Sequence, residues 1–166
     1  MSTSLSLLSP SSKTWVYTST RVFSAAEATE IQNQITAFAA GWNSHKVELT
    51  AAGALLYNRF VVLMVDESQV GVSGCSIDSS VKFIKELGAA YHTDFFDRLY
   101  ICYKNEEEII GCNQETFSEK VSLGEITDDT LVFNNLVQTK QEWENNWLIP
   151  FGKSWMKRFF KKESLV

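Results

Sequence analysis

The sequence predicts an α+β fold with a ferredoxin-like βαββαβ antiparallel sheet core and a C-terminal helical and hairpin extension. Three observations carry that expectation. Apolar residues recur at three- and four-residue steps in two separate stretches, short apolar or alternating runs flank both, and together they read strand, helix, strand, strand, helix, strand. In that pattern right-handed crossovers set both helices on one face of the sheet.

The first strand is read at residues 15–19, WVYTS, after a mobile, disordered tail at residues 1–13. Ser24 and Glu27 then form a capping box in which the hydroxyl and the carboxylate satisfy orphan amides. Ala28, Ile31, Ile35, Phe38, Ala39 and Trp42 line one stripe of the helix, and Gly41 and Asn43 mark its end. Residues 46–56 and 60–65 read as a hairpin joined at Tyr57, Asn58 and Arg59, with the more apolar second strand the more central. A second helix starts near Asp78 and carries Ile77, Val81, Ile84, Leu87 or Gly88, and Tyr91 on one face. Residues 98–104 close the core as its last strand, giving a core over residues 14–104.

The extension, residues 105–166, is expected to lie against that core. It contains a strand at Ile109 and Ile110, a helix opened by a capping box from Thr116 to Glu119 and closed by Gly124, and a short strand at Leu131, Val132 and Phe133. Thr139 opens a further helix carrying Trp143 and Trp147 that Pro150 stops, and a last helix spans residues 153–161.

Composition narrows the function classes. A chain of 166 residues can bury roughly 70% of its unfolded surface, and 45% hydrophobic against 21% charged residues describes a folded protein. The net charge of -5 argues against a general nucleic-acid binder, because affinity for phosphates needs clustered cations. Cys75, Cys102 and Cys112 are odd in number and lack CxxC spacing, so neither a disulfide framework nor a zinc site is indicated and a reducing cytoplasm fits. The N-terminus lacks the basic and apolar regions of a signal peptide, and no run of about 18 apolar residues could cross a membrane.

The most constrained chemistry lies at residues 60–91. An apolar strand ends in Asp66 and Glu67, a glycine- and serine-rich loop carries Cys75, and a helix follows. The strand with its Asp-Glu pair resembles an ATPase Walker B segment, residues 72–75 the start of a transporter-ATPase signature, and Gly152-Lys153-Ser154 the tail of a P-loop. The spacing excludes that activity. A P-loop wraps phosphate with glycine-rich backbone six residues ahead of its lysine, where this chain has Trp147, and Pro150 removes an amide from the loop. The order is also inverted, with the Walker B-like strand first.

NRF at 58–60, DES at 66–68, SGCSIDSS at 73–80, FDR at 96–98 and TLVFNNLVQTK at 130–140 resemble an uncharacterised group of short bacterial proteins, some labelled ABC transporter ATPase. The resemblance spans about residues 15–160 and is most specific at SGCSIDSS and LVFNNLV. It implies no activity and carries over no catalytic residues. Gly124, Glu125 and Ile126 with residues 129–133 and Trp143 also resemble, over a short span, GYF-like segments that bind proline-rich peptides.

Two readings of the loop follow from its residue types. Cys75 precedes a helix start, a position that favours a thiolate, and the topology brings His45 to the same end of the sheet. Cys75 with His45 as base, oriented by Asp66 or Asp78, would be a thiol or acid-base site. In the other reading Cys75 is a packed residue, Asp78 or Ser76 caps the helix, and His45 satisfies a loop carbonyl. The chain is then a cytoplasmic binding domain for a small anionic ligand or a protein partner. Its contacts would come from Asp66, Glu67, Ser73, Gly74, Ser76, Asp78, Ser79 and Ser80, among which the hydroxyls of Ser73, Ser76, Ser79 and Ser80 with the amides around Gly74 suit an anion. No cofactor motif is present, and His45, Asp66, Glu67 and Cys75 lack a metal-ligand spacing. Residues 153–162 form a basic aromatic segment, a pattern that either docks its aromatics on its own domain or makes a peripheral membrane or partner contact.

Overall fold

The computed structural model describes residues 4–160 and is mixed α and β. In chain order the elements are β1 (Lys13–Thr18), α1 (Ala25–Gly41), β2 (Asn43–Ser44), β3 (Val47–Glu48), β4 (Thr50–Leu56), β5 (Phe60–Asp66) and α2 (Gly74–Ala90). They continue with β6 (Ile101–Asn105), β7 (Glu108–Cys112), α3 (Gln114–Ser122), β8 (Leu131–Phe133), α4 (Lys140–Asn146) and β9 (Leu148–Pro150). Two compact units result. One comprises the chain up to Phe96 with Asn135–Glu144, and the other comprises Asp97–Asn134 with the residues from Asn145 on.

The first unit is built on a three-stranded sheet in the order β1-β5-β4, with β5 antiparallel to both neighbours. Tyr57 and Asn58 turn the β4–β5 hairpin with φ of 52° and 54°, the left-handed geometry that matches the strand twist. Every residue from Phe60 to Val65 is buried, because both faces of the sheet are covered. On one face Ile31, Ile35 and Ala39 of α1 and Ile84 and Leu87 of α2 meet Val61, Leu63 and Val65. On the other, Leu5, Leu8 and Trp143 cover Val62 and Met64. That double burial is why β5 reads as an unbroken apolar run.

Two local devices seat α1. The expected capping box is present: the Glu27 amide donates to Ser24 Oγ at 3.2 Å and the Ser24 amide to Glu27 Oε1 at 3.0 Å. Arg21 adds a two-pronged contact to the same carboxylate and is the main cause of a Glu27 pKa lowered to about 2. Across the sheet Gly53 lets α1 approach, since a Cβ there would stand 2.5 Å from Ile35 Cγ2 and 2.9 Å from Leu63 Cδ2. Gln32 reaches the outer edge of β4, accepting from the Leu55 amide at 2.9 Å and donating to the Gly53 carbonyl at 3.3 Å.

Two expectations change here. Residues 4–13 are not a loose tail. A short 3₁₀ turn at Leu5–Leu7 and a buried Leu8 cover the sheet, held by the Lys140 ammonium, which donates to the carbonyls of Leu8 at 2.7 Å and Ser6 at 3.1 Å. The strand expected at residues 98–104 does not complete the βαββαβ sheet. It starts at Ile101 and pairs with β7 and β8. The outer edge of β1, where that strand would lie, is met instead by residues 138–140: the Thr14 amide donates to Gln138 O at 3.0 Å and the Lys140 amide to Ser12 O at 2.9 Å.

The second unit has a four-stranded sheet in the order β7-β6-β8-β9. Its core is aromatic: Phe117 lies edge-on to Tyr103, Phe151 and Phe160, with ring centroids 6.0, 5.8 and 4.9 Å away. The helix expected to open at Thr116 begins at Gln114, because Asn113 is its cap and accepts from the Thr116 amide at 2.8 Å. Gly124 follows it at φ 76°, the left-handed stop foreseen there. Trp147 and Pro150 belong to no helix: α4 ends at Asn146, and β9 pairs with β8. The last expected helix is two 3₁₀ turns, Phe151–Lys153 and Trp155–Arg158, split at an extended Ser154 whose hydroxyl donates to Phe151 O at 2.7 Å.

Candidate functional site

The turn after β5 is closed by its own carboxylates. Asp66 Oδ1 accepts from the Ser68 hydroxyl at 2.6 Å and the Ser68 amide at 3.0 Å, while Oδ2 accepts from the Ser9 amide at 3.2 Å. The Ser68 hydroxyl, followed by these amides, lowers the Asp66 pKa to about 2. Glu67 accepts from the Val72 amide at 2.9 Å and lies 3.9 Å from the Lys13 ammonium. Residues 66–72 are thus tied at both ends. The Asp-x-Ser spacing is the sequence signal for the first tie, an Asx turn.

Ser73, rather than Asp78 or Ser76, is the cap of α2. It forms a second capping box, in which the Ser76 amide donates to Ser73 Oγ at 3.2 Å and the Ser73 amide to Ser76 Oγ at 2.6 Å. A serine at the third helical position thus replaces the usual Glu or Gln, which is why the box escapes a motif search. The other hydroxyls turn inward on the helix. Ser76 donates to Ser73 O at 3.1 Å, Ser79 to Cys75 O at 2.9 Å and Ser80 to Ile77 O at 2.7 Å. Ser76 and Ser80 are each 1% exposed and form the first part of the stripe that α2 buries. The hydroxyls expected to greet an anion are therefore engaged by the helix itself.

Gly74, Cys75 and Asp78 are exposed at the start of α2, and no atom stands within 4 Å of a Cβ built at Gly74. His45 sits at the tip of the β2–β3 hairpin with φ 50°, followed by Lys46 at 68°. Histidine is one of the few side chains that tolerate this region, so the turn alone accounts for it. Trp42, which leads into that hairpin, donates its ring N–H to Ser76 O at 2.8 Å and ties the end of α1 to the start of α2. Among the described residues no hydrogen bond joins the His45 imidazole to the Cys75 thiol, and no three His, Cys, Asp or Glu side chains gather as a metal-binding group.

Comparison of the chain with protein families, curated proteins and solved structures finds no match. Among the described residues no helix is long and apolar enough to cross a membrane. What the geometry offers is a tied loop, an open helix start and, on the hairpin beside them, Val47 at 51% exposure. The hairpin tip escaped the sequence reading because β2 and β3 are two residues each and leave no periodic signal.

Proposed function

We propose that this chain is a cytoplasmic protein-binding domain whose contact face is the 66–73 loop, the start of α2 through Ser80 and the β2–β3 hairpin. One observation carries the reading: the loop carboxylates and the serine hydroxyls of the helix start are engaged by the loop, the helix and residues 9 and 13, while Gly74, Cys75, Asp78 and Val47 face outward. A tied loop loses little conformational freedom on docking, which favours recognition of a surface by shape. A small anion would have to compete with the helix for the serine hydroxyls, so the protein partner is preferred over the anionic ligand.

The test uses Cys75 as a handle. A photo-crosslinker placed on Cys75, in a Cys112→Ser background because Cys102 is buried, should give a discrete adduct that Gly74→Arg abolishes. An adduct pattern unchanged by Gly74→Arg would sink the proposal. Melting temperatures raised saturably by phosphate or sulfate would move the reading to a small anionic ligand.

A thiol or acid-base enzyme using Cys75 with His45 is the second reading, favoured by the exposure of Cys75 in the first turn of a seventeen-residue helix. Alkylation of Cys75 by iodoacetamide at mildly acid pH distinguishes the two. A rate well above that of a free thiol, lost in His45→Ala, supports the enzyme, and an ordinary rate supports the binding domain.

A further inference from the structure

The C-terminal segment divides its aromatics between two environments. Met156 and Phe160 are 3% and 5% exposed and join the core around Phe117. Trp155 and Phe159 face solvent at 36% and 68%, and their rings meet edge-on with centroids 5.7 Å apart. The inward pair anchors the segment, so the outward pair is displayed at a fixed place rather than on a free end. Burying the exposed rings would remove apolar area from water that folding leaves exposed.

The charges carried by residues 153–160 have one sign, and Asp128 beside Lys157 is the acid that faces them. Lys153 and Arg158 are exposed on the same two turns, and the sequence continues with Lys161 and Lys162 before Glu163. Lys157 is engaged with Asp128 at 2.5 Å and is not counted with them. In a chain of net charge -5 this is a local cationic patch, so an anionic surface would attract the segment while repelling much of the rest. Trp and Phe are side chains that enter the headgroup region of a bilayer, and stable surface binding needs the two signals found together here, apolar insertion and basic attraction. Two rings meeting edge-on form a blunt knob, which suits a deformable interface.

We propose that residues 153–160 are a peripheral contact for an anionic bilayer, in which Trp155 and Phe159 enter the interface and Lys153 and Arg158 meet the headgroups. The chain would lie on the membrane without crossing it.

Flotation of the full chain with vesicles tests this. Phosphatidylcholine vesicles containing phosphatidylglycerol should carry the protein upward at low salt, and pure phosphatidylcholine should not. Trp155→Ala with Phe159→Ala should lower binding roughly tenfold, and Lys153→Glu with Arg158→Glu should lower it at least as much. All four residues are exposed, so a melt unchanged from the parent shows that each variant is folded. The proposal is overturned if the parent stays unbound with phosphatidylglycerol present, if the aromatic double variant floats as well as the parent, or if binding survives high salt. A segment built for an acidic protein groove would give the first of these results.

Discussion

The two sheets reach stability by different routes. In the first unit β5 is paired along seven residues with β4 and along six with β1, and layers of mixed aliphatic and aromatic side chains cover both of its faces. In the second, β6 pairs with β7 along five residues but meets β8 at the single pair Tyr103↔Val132, and the core is a ring cluster around Phe117. A long ladder spreads the load over many small contacts, whereas a short one concentrates it on a few large side chains. Aromatic rings bring the larger area and preferred edge-on geometry that short strands lack.

Truncations at the two centres should break this comparison most visibly. Phe117→Ala removes a fully buried ring with three aromatic neighbours and is expected to cost about 4 kcal/mol in urea denaturation. Leu63→Ala, at the middle of β5, should cost about 3 kcal/mol, because the layers around it can partly close. An order reversed by more than the experimental error would refute the idea that the aromatic core is the more concentrated.

Overpacking sharpens the same contrast in the first unit. Gly53→Ala would force its methyl against Ile35 and is expected to cost about 2 kcal/mol. Moving the branch off Cβ with Ile35→Leu, which removes the clashing Cγ2, should recover part of that loss. Strictly additive costs in the double variant would show that α1 does not rest on β4 at this point.

The smallest effect concerns the polar tie beside the sheet. Asp66 titrates near 2 in the folded chain against about 3.9 unfolded, so its contribution is complete above the unfolded value and disappears as pH falls through the folded one. The difference in melting temperature between the parent and Asp66→Asn should hold steady from neutral pH to about pH 5 and vanish near pH 2. Since this carboxylate is largely solvated, a shift of only a few degrees is expected. A difference unchanged down to pH 2 would mean that the side-chain shape, and not the ionised carboxylate, holds the turn.

Local signals were legible in the chain, and pairings distant in sequence were not. The Ser24–Glu27 box, the turn of the β4–β5 hairpin and the closure at Gly124 each lie within a few residues and are present as read. The first strand of that hairpin, read over residues 46–56, starts only at Thr50 because Val47 and Glu48 pair with Asn43 and Ser44. The destination of residues 101–105 depends on partners at 108–112 and 131–133, and no local pattern distinguishes those edges from the edge of β1. The polar composition of residues 4–13 hid Leu8, whose burial depends on Lys140 far along the chain. At the candidate site the residue types were found, but not their engagements. Ser76 and Ser80 were read as ligand hydroxyls because the helix was begun near Asp78; with Ser73 as the cap the helix extends to include Ser76, which shares the buried face of Ser80 and Ile84 at four-residue steps.

The Gln32 carboxamide has a consequence for assembly. The exposed edge of a sheet is a template on which another extended chain can add itself. At Gly53 and Leu55 the carbonyl and amide that such a chain would pair with are already matched by one side chain presenting an acceptor and a donor in peptide order. Gln32 thus acts as a one-residue counterfeit strand, and a recruiting peptide must first evict it.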